Sequence, residues 1–330
     1  MKPEYEKVLG TLLGVAYGDA IGMPSEMWTR RKIKERFGWI SKLEPGQDDH
    51  MVSKGFKPGE TTDDTAMTFL ICDLLMDSGC NPEPVEFVRR VEAWAESTGK
   101  SQFVIGPSTR LAFDKIKSGT PVTEAGKTGI TNGASMRISP VGIIMDYHNE
   151  SAFLSLVEKL CMPTHYTNKA ISAASAVAAC VSSALRDHDP TVLKDVAFHF
   201  ASLGEEYGNQ LWGPSVKKRM ELALYLSDKY SDDEEFLQNI YDIVGTGLPS
   251  NESVPSAIAI ALRCGSDVER CGILSANVGG DTDTIGAISC AISGALAGAD
   301  EFSPEVVNLL KQSNDFQFEA TAKSLLNYCE

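Results

Sequence analysis

The chain has 330 residues, with 30 Lys and Arg against 45 Asp and Glu and a formal charge of −15, a length that suits one large domain or two small ones. With 43% hydrophobic and 23% charged residues, it has the apolar content of a packed core and little room for extended disorder. A surface this acidic repels phosphate backbones and anionic headgroups, so nucleic-acid backbones and membranes are disfavoured partners; a small anion would need backbone amides, a metal or a local basic group.

The first residues, MKPEYEKVLG, lack the pattern of a signal peptide, and no apolar run reaches the ~18 residues of a membrane span. The expected location is the cytoplasm. Eight cysteines are scattered through apolar helical patterns with no CxxC pair, which reads as reduced core thiols rather than a zinc site or disulfide framework.

Apolar residues recur at three- and four-residue spacing and sustained alternation is nearly absent, which predicts a mostly α protein. The predicted helices in chain order are 4–21, 64–78, 84–97, 108–117, 139–147, 152–161, 165–186, 190–203, 214–229, 232–244, 254–264, 268–276, 283–297, 304–312 and 318–328. Gly79, Gly99 and Gly265 stand just past helix ends, and Pro84, Pro190 and Pro304 sit where a first turn tolerates them. Gly10, Gly14, Gly18 and Gly22 recur at every fourth position of the first helix, and the helices from 165 and 283 are rich in Ala and Ser. Small faces let backbones approach, so these three helices are expected to cross at the centre. No repeat and no linker divides the chain, which predicts one domain over 1–330. The poorly periodic stretch 24–60 reads as an active-site loop.

Chemistry concentrates in a few segments. GDAIGMPSE ends the first helix with Asp19 and Glu26; a carboxylate there opposes the helix dipole unless a cation or donor compensates, so Glu26 is either an extra ligand or acid/base residue, or a solvated loop acid. Thr61-Thr62-Asp63-Asp64-Thr65 and Gly279-Gly280-Asp281-Thr282-Asp283-Thr284 each fall at a predicted helix start. Either alone reads as N-capping. Together they offer four carboxylates and adjacent hydroxyls, hard ligands suited to Mg²⁺ or Mn²⁺, and four converging Asp would hold two divalent cations. The segment TNGASMR, 131–137, forms a turn able to aim N–H groups at a phosphate, with Arg137 as a charge partner. Thr164 and His165 open the Ala/Ser-rich helix, with Thr164 as its cap and His165 either structural or facing a site.

In this order GDAIGMPSE, TTDDTAM, TNGASMRISPVG, TH before an Ala-rich helix and GGDTDTIGAI resemble the ADP-ribosylglycohydrolases, including the dinitrogenase reductase-activating glycohydrolases. The resemblance spans roughly 14–298. It implies a single compact, orthogonal all-α domain around a dinuclear Mg²⁺ or Mn²⁺ centre that hydrolyses the glycosidic bond to the distal ribose of ADP-ribose. The implied substrates are ADP-ribosylated protein or a small ADP-ribosyl compound. Carried over by position, the implied metal ligands are Thr62, Asp63, Asp64, Asp281, Asp283 and Thr284, and the implied catalytic residues are Glu26, Asp63 and Asp283. Asn132, Gly133, Ser135 and Met136 match the turn that wraps diphosphate and distal ribose, and His165 matches a residue of the ribose pocket. YGNQLWG, 207–213, stands where some members place an aromatic against adenine. Hydrolysis of other ribosides or nucleosides, and a non-catalytic crystallin-like role, are the alternative readings.

Overall fold

Seventeen α-helices follow one another through the residues that the computed structural model describes, 2–98, 106–187 and 189–329. In chain order they are α1 (Tyr5–Gly22), α2 (Arg30–Phe37), α3 (Asp63–Asp77), α4 (Pro84–Thr98), α5 (Pro107–Lys117), α6 (Val122–Ala125), α7 (Ser139–Ile144), α8 (Glu150–Cys161) and α9 (Asn168–Arg186). Then come α10 (Leu193–Gly204), α11 (Val216–Lys229), α12 (Asp233–Asn239), α13 (Ser250–Cys264), α14 (Val268–Asn277), α15 (Thr282–Ala297), α16 (Pro304–Ser313) and α17 (Phe318–Leu325). Among the described residues β pairing is confined to three isolated bridges, Trp28 with Gly280, Thr131 with Pro249 and Thr167 with Asn209.

The glycine row of α1 sets the centre of the molecule. A Cβ on Gly14 would fall 2.1 Å from the carbonyl oxygen of Cys290, one on Gly18 2.0 Å from that of Gly286, and one on Gly22 2.3 Å from that of Thr282. These gaps leave no room for a methyl group, so α1 and α15 touch backbone to backbone along their length. The Ala/Ser-rich α9 packs against α15 as well as α10 and α13, so the three small-residue helices share the core as expected. The crossing carries the end of α1, with Asp19 and Gly22, to the start of α15, with Thr282 and Asp283. All eight cysteines are free thiols, seven of them buried, and no helix of the described residues is long and apolar enough to cross a membrane.

Several boundaries differ from the sequence expectations, each for a physical reason. The stretch 24–60 contains α2, whose charged sequence RRKIKERF offers almost no apolar stripe; Thr29 caps it by accepting from the N–H of Lys32. The long helix expected from His165 begins at Asn168, capped by the Thr167 hydroxyl at 3.3 Å from the Ala170 nitrogen; Thr164 caps nothing and accepts from Arg137 instead. Pro190–Val192 forms a short 3₁₀ turn before α10, and the helix expected over 232–244 widens into a π turn at Ile240–Val244. Helix α13 starts four residues before the expected Val254, with Pro255 inside it. That proline cannot donate to the carbonyl of Asn251, and Arg219 Nη1 approaches the freed oxygen at 3.4 Å. Gly99 lies outside the described residues.

Candidate active site

Three packing events bring the acidic residues together. Met27 donates its N–H to Gly280 O at 2.6 Å and Gly280 donates back to Trp28 O at 2.8 Å, an antiparallel bridge that lays Glu26 beside the GGDTDT turn. Met27 turns the chain there with a φ of 57°, a left-handed conformation uncommon for a non-glycine residue. Carboxylate oxygens of Glu26, Asp281 and Asp283 consequently lie within 4.8 Å of one another. The start of α3 arrives from the other side. Thr62 Oγ1 stands 3.0 Å from Asp64 Oδ2 and 3.5 Å from Asp283 Oδ2.

Asp19 locks that approach. Its carboxylate accepts from the N–H of Thr62 at 2.9 and 3.0 Å, from the N–H of Thr65 at 3.1 Å and from the Thr65 hydroxyl at 2.6 Å. It therefore caps α3 from a different helix, satisfying amides that Thr62, without a side-chain cap bond of its own, leaves open. On the other flank Asn132 Nδ2 donates to Asp281 Oδ2 at 2.5 Å and lies 2.9 Å from Ser253 Oγ, and Asp283 Oδ1 accepts from the Thr284 N–H at 2.9 Å.

The electrostatics follow from this crowding. Burial, then the charges of neighbouring acids, push the carboxyls of Glu26, Asp63, Asp64 and Asp283 well above their ordinary range. Asp281 is raised by burial despite its bonds from Asn132 and Asp283. Burial lifts Asp19 to about 6, with its hydrogen bonds from Thr65 and Thr62 pulling the other way. Among the described residues none of these six acids forms a salt bridge with a Lys or Arg, so the cluster either keeps some of its protons or ionises fully by taking up cations. Two of its buried oxygens, Glu26 Oε2 and Asp64 Oδ1, have no hydrogen-bond partner. Orphaned oxygens in an all-oxygen donor set match what a hard divalent cation takes.

A cavity of about 60 Å³ opens beside the acids. Glu26, Asp63, Asp64, Asp281, Asp283 and Thr284 line one side, and Asn132, Gly133 and Met136 line it with Thr131, Thr109 and Leu248. Of the sequence-nominated residues, Thr62, Ser135 and His165 stay outside that lining: all three are buried, and His165 sits behind Gly133, where a Cβ would fall 2.9 Å from His165 Cε1. Arg137 also stands outside the lining, its guanidinium donating to Gly133 O at 2.5 Å and Thr164 Oγ1 at 2.8 Å rather than facing the cavity as a phosphate partner would. In the 207–213 segment Trp212 is 97% exposed, and neither it nor Tyr207 is among the described residues of the cavity lining. Sequence reasoning missed the capping role of Asp19 and the part of His50, whose Nδ1 accepts from the N–H groups of Val52 and Ser53, leaving Nε2–H to donate to Glu26 O at 2.8 Å. Neither residue announces itself, because both act across gaps in sequence.

The family profile described as ADP-ribosylglycohydrolase matches residues 1–330. The chain is 35% identical over 324 residues to the uncharacterized protein YegU of Escherichia coli (strain K12), covering 98% of this chain and 97% of that one. It is 27% identical over 324 residues to the ADP-ribosylhydrolase ARH3 of Xenopus tropicalis, covering 88% and 87%. A solved structure described as an ADP-ribosylglycohydrolase-related protein complex superposes with a TM-score of 0.72 at 23% identity, over 99% of each chain, a likeness of fold. An all-α frame closed on an acidic cleft is thus that of a glycosidic-bond hydrolase. The chain belongs to the ADP-ribosylglycohydrolase family.

Proposed function

We propose that this enzyme hydrolyses the glycosidic bond to the distal ribose of ADP-ribose, carried on protein side chains or on small ADP-ribosyl compounds, with two divalent cations, Mg²⁺ or Mn²⁺, in the acidic cluster. The observation that supports this most is the convergence of Glu26, Asp281 and Asp283 with the start of α3, next to a cavity walled by Asn132, Gly133 and Met136. Thr62, Asp63, Asp64, Asp281, Asp283 and Thr284 would hold the cations. When bound, these supply charge compensation, a grip on vicinal hydroxyls and an attacking water of lowered pKa.

The chain's own groups do the rest. Glu26, with an unpartnered Oε2 in the cleft, accepts the proton of the attacking water, and Asp63 and Asp283 complete the catalytic set by stabilising positive charge as the anomeric carbon becomes oxocarbenium-like. Asn132, braced between Ser253 and Asp281, and Gly133, without a side chain, let the ribose approach. Met136 supplies apolar contact to the sugar, while Ser135 and His165 support the turn from behind. Holding the anomeric carbon against a fixed water position removes orientational freedom from the barrier.

The test is a turnover panel of ADP-ribosyl-arginine, ADP-ribosyl-serine, O-acetyl-ADP-ribose and simple nucleosides, each with Mg²⁺, Mn²⁺ or a chelator. Cation-dependent release of ADP-ribose from at least one ADP-ribosyl compound is expected. Turnover of nucleosides alone would replace this reading with riboside hydrolysis.

A further inference from the structure

A second cavity, of about 340 Å³, lies outside the acidic cleft and shares none of its lining residues. It has the size of a small-molecule site, which starts at about 300 Å³. Its walls come from α2, the turn after α2, α12 with the π turn that follows it, and the end of α14. π turns are rare and recur at functional sites. This one contributes Tyr241 to the lining, and the turn after α2 contributes Trp39.

The polar groups of this lining are unevenly matched. Gln238 Oε1 accepts from Arg30 Nε at 3.0 Å, Asn277 O from Arg30 Nη1 at 2.6 Å, and Asn277 Oδ1 from the Ile40 N–H at 3.0 Å. One oxygen of Glu234 accepts from both Arg30 Nη2, at 3.1 Å, and Lys34 Nζ, at 3.3 Å. Most acceptors are therefore spent, while donors remain. Arg30, only 9% exposed, gives one hydrogen from each nitrogen in these bonds and keeps the second on Nη1 and on Nη2. Arg31 is paired with Glu35 at 3.3 Å, in an exposed contact that contributes little. Among the described residues the Trp39 indole N–H and the Tyr241 hydroxyl have no hydrogen-bond partner within the chain, and neither ring stacks on another ring or lies under a cation. Arg30, Arg31 and Lys34 against Glu234 make the lining positive in a chain whose formal charge is −15.

We propose that this cavity is a second ligand site, for a small anion that carries a flat ring. A wall with surplus donors and spent acceptors selects an acceptor, and a charged one above all. Indole and phenol rings without a stacking partner bury planar apolar area. Nucleoside monophosphates and aromatic carboxylates share this chemistry. The site adjoins the acidic cluster through the backbone: Arg30 holds Asn277 O, a Cβ on Gly279 would fall 2.9 Å from Arg30 Cγ and 3.1 Å from Tyr241 Cε2, and Gly280 pairs with Trp28. An occupant bonded to Arg30 therefore touches the residue that clamps the loop leading to Asp281.

Nitrogen-15 NMR of the indole N–H groups tests this on the full chain. Its 4 tryptophans give as many side-chain signals, and Trp39→Phe identifies the one from the cavity. AMP or benzoate, titrated to millimolar concentration, should shift the Trp39 signal saturably. Adenosine, which lacks the charge, and benzamidine, a flat cation, should leave it in place. The anion that responds tells which of the two classes the site takes. Arg31→Glu combined with Lys34→Glu, at two exposed positions, should weaken that anion about tenfold or more, the usual cost of losing a hydrogen bond to a charged group. No Trp39 shift with either anion, an equal shift with adenosine or benzamidine, or unchanged affinity in the double variant would each overturn the site. The wild-type titrations need no variant beyond the one that assigns the signal, and none of these readings depends on ADP-ribosyl hydrolysis.

Discussion

The carboxylate of Asp19, in the last turns of α1, accepts the hydroxyl of Thr65, in the first turn of α3, over 2.6 Å. Through this bond and those to Thr62, one buried acid outside the lining of the acidic cavity fixes the helix start that carries Asp63 and Asp64. Asp19→Ala should leave two amides and two hydroxyls without their acceptor and lower the unfolding free energy in urea by about 3 kcal/mol. Asp19→Asn, which keeps one acceptor oxygen, should lose clearly less. Equal stability of both variants and the wild type would show that the cap contributes nothing.

The peptide bond that follows Glu26 is held on both sides, its N–H by Gly280 and its carbonyl by His50. This tether argues against a freely swinging lid and for a preset side chain. Glu26→Gln keeps the shape and removes the basicity, so kcat should fall by roughly 10² or more, with binding of free ADP-ribose much less affected. His50→Ala releases the carbonyl while leaving the carboxylate, and its kcat should fall between those of the wild type and Glu26→Gln. Steady-state kinetics on one ADP-ribosyl substrate decides both.

Cations should stabilise the fold, because they compensate acids that otherwise repel one another. Thermal unfolding at neutral pH should shift upward with millimolar Mg²⁺ or Mn²⁺ and back down with a chelator. Asp283→Asn should abolish the shift and the hydrolysis together, yet be no less stable than the metal-free wild type, since it removes one of the crowded charges. A cation-induced shift of full size in this variant would count against the proposed ligand set.

Away from the site, Asp233 at the start of α12 bonds to Arg263 Nε at 2.8 Å and Arg270 Nη2 at 2.9 Å, joining α12 to α13 and α14. Partial burial alone would raise its pKa, but Arg270 and Arg263 outweigh it and hold the carboxyl below its ordinary value. A depressed folded-state pKa means stability that is fully present above the unfolded value of about 4 and is lost as pH falls through the folded value. The stability gap between the wild type and Asp233→Asn, measured by denaturant unfolding, should therefore be constant from pH 7 to 5 and shrink below about 4. A gap that widened in acid would reverse the sign of this linkage.

Helix content, the central role of the glycine row and the two acidic helix starts were all legible in the sequence, because each depends on local spacing. Gly14 and Gly18 stand four apart, and that interval alone marks one face of a helix. Asp63, Asp64, Asp281 and Asp283 stand out because caps and carboxylates declare themselves within a few residues, and the order of the motifs carried the family. Tertiary structure alone decided what crosses those intervals. The bridge from Met27 to Gly280 turned Glu26 from a loop acid into a member of the cluster, and α2 was invisible because its face is too charged to show a period. His165 was nominated for the cleft, yet packing set it behind Gly133, and Arg137, an expected phosphate partner, was buried under the turn. Where a side chain points depends on which distant backbone leaves room for it, and that room is set when α1 and α15 close on each other, a contact between opposite ends of the chain that no local pattern encodes.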